Sequence, residues 1–145
     1  MKKMHLIFAS IIVLAVGHAS ALPLRESLAM FESGARPTTK ACQADRMRGH
    51  SGEVSRFQIM PDVWREYSRS TDYENPTVAW SVAEHILADR KKWFTEKTGR
   101  EASPVELYLL WNKPAHFRAV GFDLARVRPF YRIRAQRFAN LCMAS

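Results

Sequence analysis

The chain has 145 residues, 47% of them hydrophobic and 25% charged, with 22 Lys and Arg against 14 Asp and Glu for a net charge of +8. That length and balance fit one folded domain and exclude an intrinsically disordered chain. In chain order, the first element reads as an export signal. Lys2 and Lys3 give a basic start, Leu6 to Gly17 an apolar stretch, and Ala19-Ser20-Ala21 a small-residue cleavage site. The apolar stretch is too short to cross a bilayer as a helix, which argues for a removed signal rather than an anchor. The mature domain is then residues 22–145, and losing Lys2 and Lys3 lowers the net charge from +8 to +6. Export, to the periplasm or the extracellular space, argues against an enzyme fed by a cytosolic nucleotide pool.

The mature segment is punctuated as helices. Pro23 opens a helix with Leu24, Leu28 and Phe31 at helical spacing, and Gly34 ends it. Residues 35–53 read as a polar, basic loop, and Val54 to Met60 as extended or irregular chain. Pro61 starts a helix carrying Val63, Trp64 and Tyr67. Asn75-Pro76 pairs an N-cap with proline at the first helical position. The long helix that follows sets Ala79, Val82, Ala83, Ile86, Leu87 and Trp93 or Phe94 on one side, and ends at Gly99. Ser103-Pro104-Val105-Glu106 has capping-box spacing ahead of Leu107, Leu110 and Trp111, and Pro114 closes that helix. A last helix from about Pro129 is expected to turn Phe130, Ile133, Phe138 and Leu141 inward. Tyr108 and Trp93 fall at core positions. The expectation is a mainly α single domain of about five helices with little or no strand.

Cys42 and Cys142 are the only cysteines. Export permits them to join, and a bridge would close a loop of about a hundred residues, stabilising on the order of 4 kcal/mol in the chain-entropy model. The alternative is two free thiols. Neither they nor His50, His85 and His116 have metal-ligand spacing, so no metal and no cofactor is expected.

Glu32 is the first candidate for chemistry. It sits on the last turn of an apolar helix, where poor hydration and the negative end of the helix dipole both favour its protonated form. A carboxyl that keeps its proton near neutral pH suits a general acid. A glutamate that merely ends its helix in solvent is the plain alternative.

Glu32-Ser33 at a helix end is followed by Gly52-Glu53-Val54-Ser55-Arg56-Phe57-Gln58-Ile59-Met60-Pro61, then by Leu110-Trp111-Asn112 and the closing Ala135 to Leu141. This series resembles the lysozyme-like soluble lytic transglycosylase domain. That family pairs Glu-Ser with a Gly-Ala-x-Gly-Leu-Met-Gln-Ile-x-Pro segment and an Ala-Tyr-Asn-Ala-Gly motif. The similarity runs from about Leu28 to Leu141. It implies a compact lysozyme-like fold and cleavage of the β-1,4 bond between N-acetylmuramic acid and N-acetylglucosamine in peptidoglycan. It further implies Glu32 as the acid/base and the substrate's own C6 hydroxyl as second nucleophile, which leaves a 1,6-anhydro sugar. Gln58 would bind substrate beside Glu32, Phe57 and Trp111 would offer apolar faces to sugar rings, and Asn112 would contact the glutamate or the sugar. Ser33 would support the site.

The chain departs from that pattern at Glu53, Ser55, Arg56-Phe57 and Trp111-Asn112-Lys113-Pro114. Glu53 and Ser55 stand in the segment that would border substrate. If Glu53 faces the cleft, the site has two carboxylates, which suits a muramidase- or chitinase-type hydrolase. Otherwise Glu53 is a solvated loop residue paired with Arg56. A wall-binding protein that kept the fold and lost turnover is the alternative from another class, and a cationic membrane-active protein is a third.

From Arg118 to Arg137 there are six arginines and one acid, Asp123, interleaved with Phe122, Phe130 and Tyr131. This basic segment suits anionic envelope polymers, with attraction that weakens in salt, or it is a solvated helix face. Peptidoglycan glycan strands are the expected partner, nucleic acid is not expected, and the chain is expected to act as a monomer.

Overall fold

The computed structural model describes residues 22–143; the expected signal segment, residues 1–21, lies outside the described residues. Seven α-helices follow one another: α1 (Leu24–Ser33), α2 (Gln43–Arg46), α3 (Pro61–Tyr67), α4 (Pro76–Thr98), α5 (Pro104–Asn112), α6 (Pro114–Ala119) and α7 (Pro129–Met143). A 3-10 turn at Leu124–Arg126 joins the last two. Among the described residues the only β pairing is an isolated antiparallel bridge between Val54 and Ile59. The domain is mainly helical, and five of the helices are those the sequence announces. The two extra ones, α2 and α6, span only 4 and 6 residues, too short for an apolar period to register.

Helix α5 is the axis of the fold. Its sequence is apolar around most of its circumference, and Tyr108, Leu109, Leu110 and Trp111 are all buried. Such a helix has no face for solvent, so its neighbours wrap it. Helices α4, α6 and α7 pack directly on α5, while α1 packs on α7 and α3 on α4. Core side chains converge from each: Leu28 from α1, Trp64 from α3, Ile86 and Phe94 from α4, Phe117 from α6, Phe138 from α7.

The helix ends follow their local chemistry. Asn75 Oδ1 accepts from the N–H groups of Thr77 (3.0 Å) and Val78 (3.3 Å), satisfying two free donors of α4. Ser103 and Glu106 form the reciprocal capping box at the start of α5. Glu106 is also gripped by both Nη atoms of Arg100, at 2.8 and 2.5 Å. Its pKa is drawn down to about 2, first by the Arg100 bonds, against burial, with further help from Ser103.

Helix α7 corrects one expectation. Phe138 is buried as expected, but Phe130 and Ile133 face solvent, at 72% and 60% exposure. The inward face of α7 is instead built from Ala135, Phe138 and Ala139, with Arg134 beside them. The small alanines let α7 lie close on α5, which leaves no room on that side for the larger pair. The expected Cys42–Cys142 bridge is also absent. Both thiols are free. The Cys42 Sγ lies 3.8 Å from Arg56 Nη2, whereas the Cys142 thiol, raised in pKa mainly by burial, hydrogen-bonds Ser27.

Candidate active site

Three helices meet around one carboxyl. Gly34, with φ 70°, ends α1 in the left-handed conformation and leaves Glu32 on the last turn, aimed at α5 and α7. Tyr108 Oη on α5 donates to Glu32 Oε1 at 2.7 Å. Arg134 on α7 donates through Nε to Tyr108 Oη at 2.7 Å and through Nη2 to Glu32 Oε2 at 3.4 Å. Because Arg134 is donor only, the tyrosine oxygen must accept from it, and the tyrosine proton must point at Glu32. The guanidinium is itself held over Phe31, 5.0 Å from the ring centroid, and Phe31, Tyr108 and Phe138 pack ring against ring.

The Glu32 side chain is only 6% exposed. Burial is the largest influence on it and raises its pKa; the Tyr108 bond and then Arg134 pull the other way, and the nearby Glu53 charge adds to the rise. Burial wins. The other two buried carboxylates, Asp45 and Glu106, are shifted downward. Oε1 accepts the tyrosine proton, whereas the contact of Oε2 with Arg134 is long.

Tyr108 and Arg134 therefore share control of this acid, and their removal has a calculable sign. Both favour the ionised form, so Tyr108→Phe and Arg134→Met each move the Glu32 titration midpoint upward, measurable through its side-chain carboxyl carbon by NMR. A midpoint that stayed or fell in both variants would mean that neither group reaches the carboxylate in solution.

A cleft of about 420 Å³ is lined among others by Glu53, Gln58, Met60, Arg90, Trp111 and Asn112. Glu32 does not line it, but lies within electrostatic reach of Glu53, which does. One wall is the turn between Val54 and Ile59, which exchange N–H···O bonds of 2.8 and 2.9 Å. Within it Ser55 (φ 63°) and Gln58 (φ 51°) hold left-handed conformations, which cost a residue with a Cβ on the order of 1 kcal/mol each. The Ser55 carbonyl compensates by accepting from both the N–H and Nε2 of Gln58, at 3.1 and 3.0 Å. Gln58 Oε1 and Glu53 Oε2 then crowd against Gly49, where a Cβ would collide with both. The opposite wall is the end of α5, whose Leu110 and Trp111 carbonyls accept from Arg90 Nη1 at 3.0 and 2.6 Å.

Four of the expected site residues, Glu53, Gln58, Trp111 and Asn112, thus share one cleft, and Glu32 and three others do not. Phe57 is fully buried against Trp80 (5.6 Å between centroids) and offers no face to a sugar. Ser55 is 1% exposed, its Oγ accepting from Phe57 N–H at 3.2 Å, so it shapes the turn without lining the cleft. Ser33 Oγ donates back to the Ala29 carbonyl at 3.0 Å, and the residue borders a separate hollow near Cys42. The pairing of Glu53 with Arg56 is also overturned. Arg56 is buried against Asp45, with Nε–Oδ1 2.6 Å and Nη2–Oδ2 2.7 Å, while Glu53 accepts from the Ser51 N–H at 2.9 Å and faces the cleft.

Tyr108 and Arg134 are the functional candidates that sequence reasoning missed. Tyr108 carried a faint signal as the one hydroxyl in the apolar run Leu107 to Trp111. Arg134 carried none, being one of six arginines in its segment. No protein-family model, curated protein or solved structure matches the chain.

Proposed function

We propose that the chain is an exported lysozyme-like enzyme that cleaves the β-1,4 bond between N-acetylmuramic acid and N-acetylglucosamine in peptidoglycan, with Glu32 as acid/base. One observation carries this reading: a buried carboxyl with a raised pKa, held by Tyr108 and Arg134 and within electrostatic reach of Glu53, which shares a cleft with Gln58, Trp111 and Asn112. The left-handed Ser55 supports it, since the family segment has glycine at that position and glycine is the residue suited to such a φ.

Glu32 would give its proton to the glycosidic oxygen as the bond to the anomeric carbon breaks. The same carboxyl, now ionised, would take the proton of the substrate's C6 hydroxyl as that oxygen closes on the anomeric carbon. Tyr108 and Arg134 favour the ionised form, so they support the carboxylate that the first transfer leaves. Trp111 would give a sugar ring an apolar edge, with Asn112 and Gln58 supplying hydrogen bonds. A second reading, hydrolysis with Glu53 directing water, is favoured by the presence of Glu53 in the cleft and not on Arg56.

Mass spectrometry of soluble products from purified sacculi tests both. Anhydro-sugar ends that persist in Glu53→Gln indicate the intramolecular route. Reducing ends lost in Glu53→Gln indicate hydrolysis. Sacculus binding without soluble fragments would replace the enzyme with a wall-binding protein.

A further inference from the structure

The outward side of α7 serves neither the core nor the cleft. Phe130 is 72% and Ile133 60% exposed, one helical turn apart, the largest exposures among the big apolar side chains described. Around them Arg126, Arg128, Arg132 and Arg137 are exposed. The ion pairs among the described residues use Arg46, Arg56, Arg100 and Arg134, so none of these four arginines is neutralised by a carboxylate. The one acid of the segment, Asp123, turns its Oδ1 to the Ala125 N–H at 2.9 Å. Arg132 reaches only the Leu124 carbonyl, at 3.2 Å.

We propose that this face docks on the surface of an anionic phospholipid bilayer, with Phe130 and Ile133 entering the headgroup boundary and Arg126, Arg128, Arg132 and Arg137 meeting lipid phosphates. The charge alone would suit any polyanion. The two apolar side chains select among them, because a hydrated phosphate polymer gives Phe130 and Ile133 nothing, whereas a bilayer interface removes them from water. Each arginine near such a surface adds attraction that falls within a Debye length. None of the described helices is long and apolar enough to cross a membrane. The docking is independent of the chemistry at Glu32.

The test is co-sedimentation of the mature domain with vesicles of phosphatidylcholine, with and without phosphatidylglycerol. Wild type is compared with F130S/I133S and R128E/R132E, each as the mature domain, residues 22–145, so that the apolar N-terminal segment does not contribute. Both pairs are exposed, so circular dichroism should remain native. Binding should require phosphatidylglycerol, weaken with salt, and fall roughly thirtyfold or more in R128E/R132E, the loss of two surface arginines with the reversal of charge adding to it. F130S/I133S should lose binding by a similar factor. Phe130→Trp should also gain fluorescence quenching by bromolipid over wild type. Equal binding of all three chains, or equal binding to both vesicle types, would overturn the proposal. So would a wild-type dimer that F130S/I133S converts to monomer, since a second copy would then cover this face. Binding to soluble polyphosphate but not to vesicles would assign the arginines to a wall polymer and overturn it too.

Discussion

Glu32→Gln is expected to slow release of soluble fragments from sacculi by on the order of 10²–10⁴-fold, the range carried by a general acid, while leaving the fold at least as stable at neutral pH. The amide keeps the shape and can still accept from Tyr108 through Oε1. Its N–H would face Arg134 across a contact that is already 3.4 Å long, and Arg134 is 38% exposed and free to shift toward water. The stability arm has a definite sign. Burial raises the Glu32 pKa above its ordinary value, so between the ordinary and the raised value the folded state holds a proton that the unfolded state has lost. Stability of the wild type therefore falls as pH rises through that window, and Glu32→Gln does not share the fall. Thermal denaturation at pH 4 and pH 7 should show the variant gaining on wild type toward pH 7. Full lytic activity in the variant would remove Glu32 from the reaction. A variant that unfolds would instead make the carboxylate a structural partner of Tyr108 and Arg134.

What the sequence makes legible here is whatever depends on neighbours along the chain. The stops at Gly34 and Gly99, the Asn75 cap and the Ser103–Glu106 capping box are local, and each stands where its residues indicate. Mainly helical architecture follows from the same signals. Long-range pairing is not legible in this way. Arg56 is three residues from Glu53, an easy partner on paper, yet the turn at Ser55 and Gln58 reverses the chain between Val54 and Ile59 and sends the guanidinium to Asp45. Phe57, one residue on, is carried into the core by that same reversal. On α7 an apolar period fits Phe130 and Ile133, but close packing on α5 selects the alanine face. The Glu32–Tyr108–Arg134 triad spans three helices and 102 residues, with no local pattern to announce it.

Arg56→Met is expected to cost about 3–5 kcal/mol, the usual penalty for stranding one member of a buried ion pair, in a domain whose total stability should be about 5–15 kcal/mol. The Arg56 and Asp45 side chains are 2% and 0% exposed. Besides the paired bonds to Asp45, Arg56 donates to the carbonyls of Thr38 (2.6 Å) and Lys40 (2.9 Å), so one side chain ties the segment after α1 to the turn that presents Gln58. Burial works to raise the Asp45 pKa, but the Arg56 bonds, the Cys42 N–H at 2.7 Å and the Arg56 charge outweigh it and hold it below the ordinary value. Asp45 thus contributes stability above its ordinary pKa, and that contribution is lost as pH falls toward the folded value. Without Arg56 the direction reverses, because an unpaired buried carboxylate favours its proton. The deficit of Arg56→Met, read by urea denaturation, should therefore be largest at pH 7 and narrow toward pH 4. Asp45→Asn combined with Arg56→Met should cost less than the two single changes added together, since it leaves no charge behind. Additive costs with no narrowing at low pH would mean that Arg56 stabilises through packing and the two carbonyls alone.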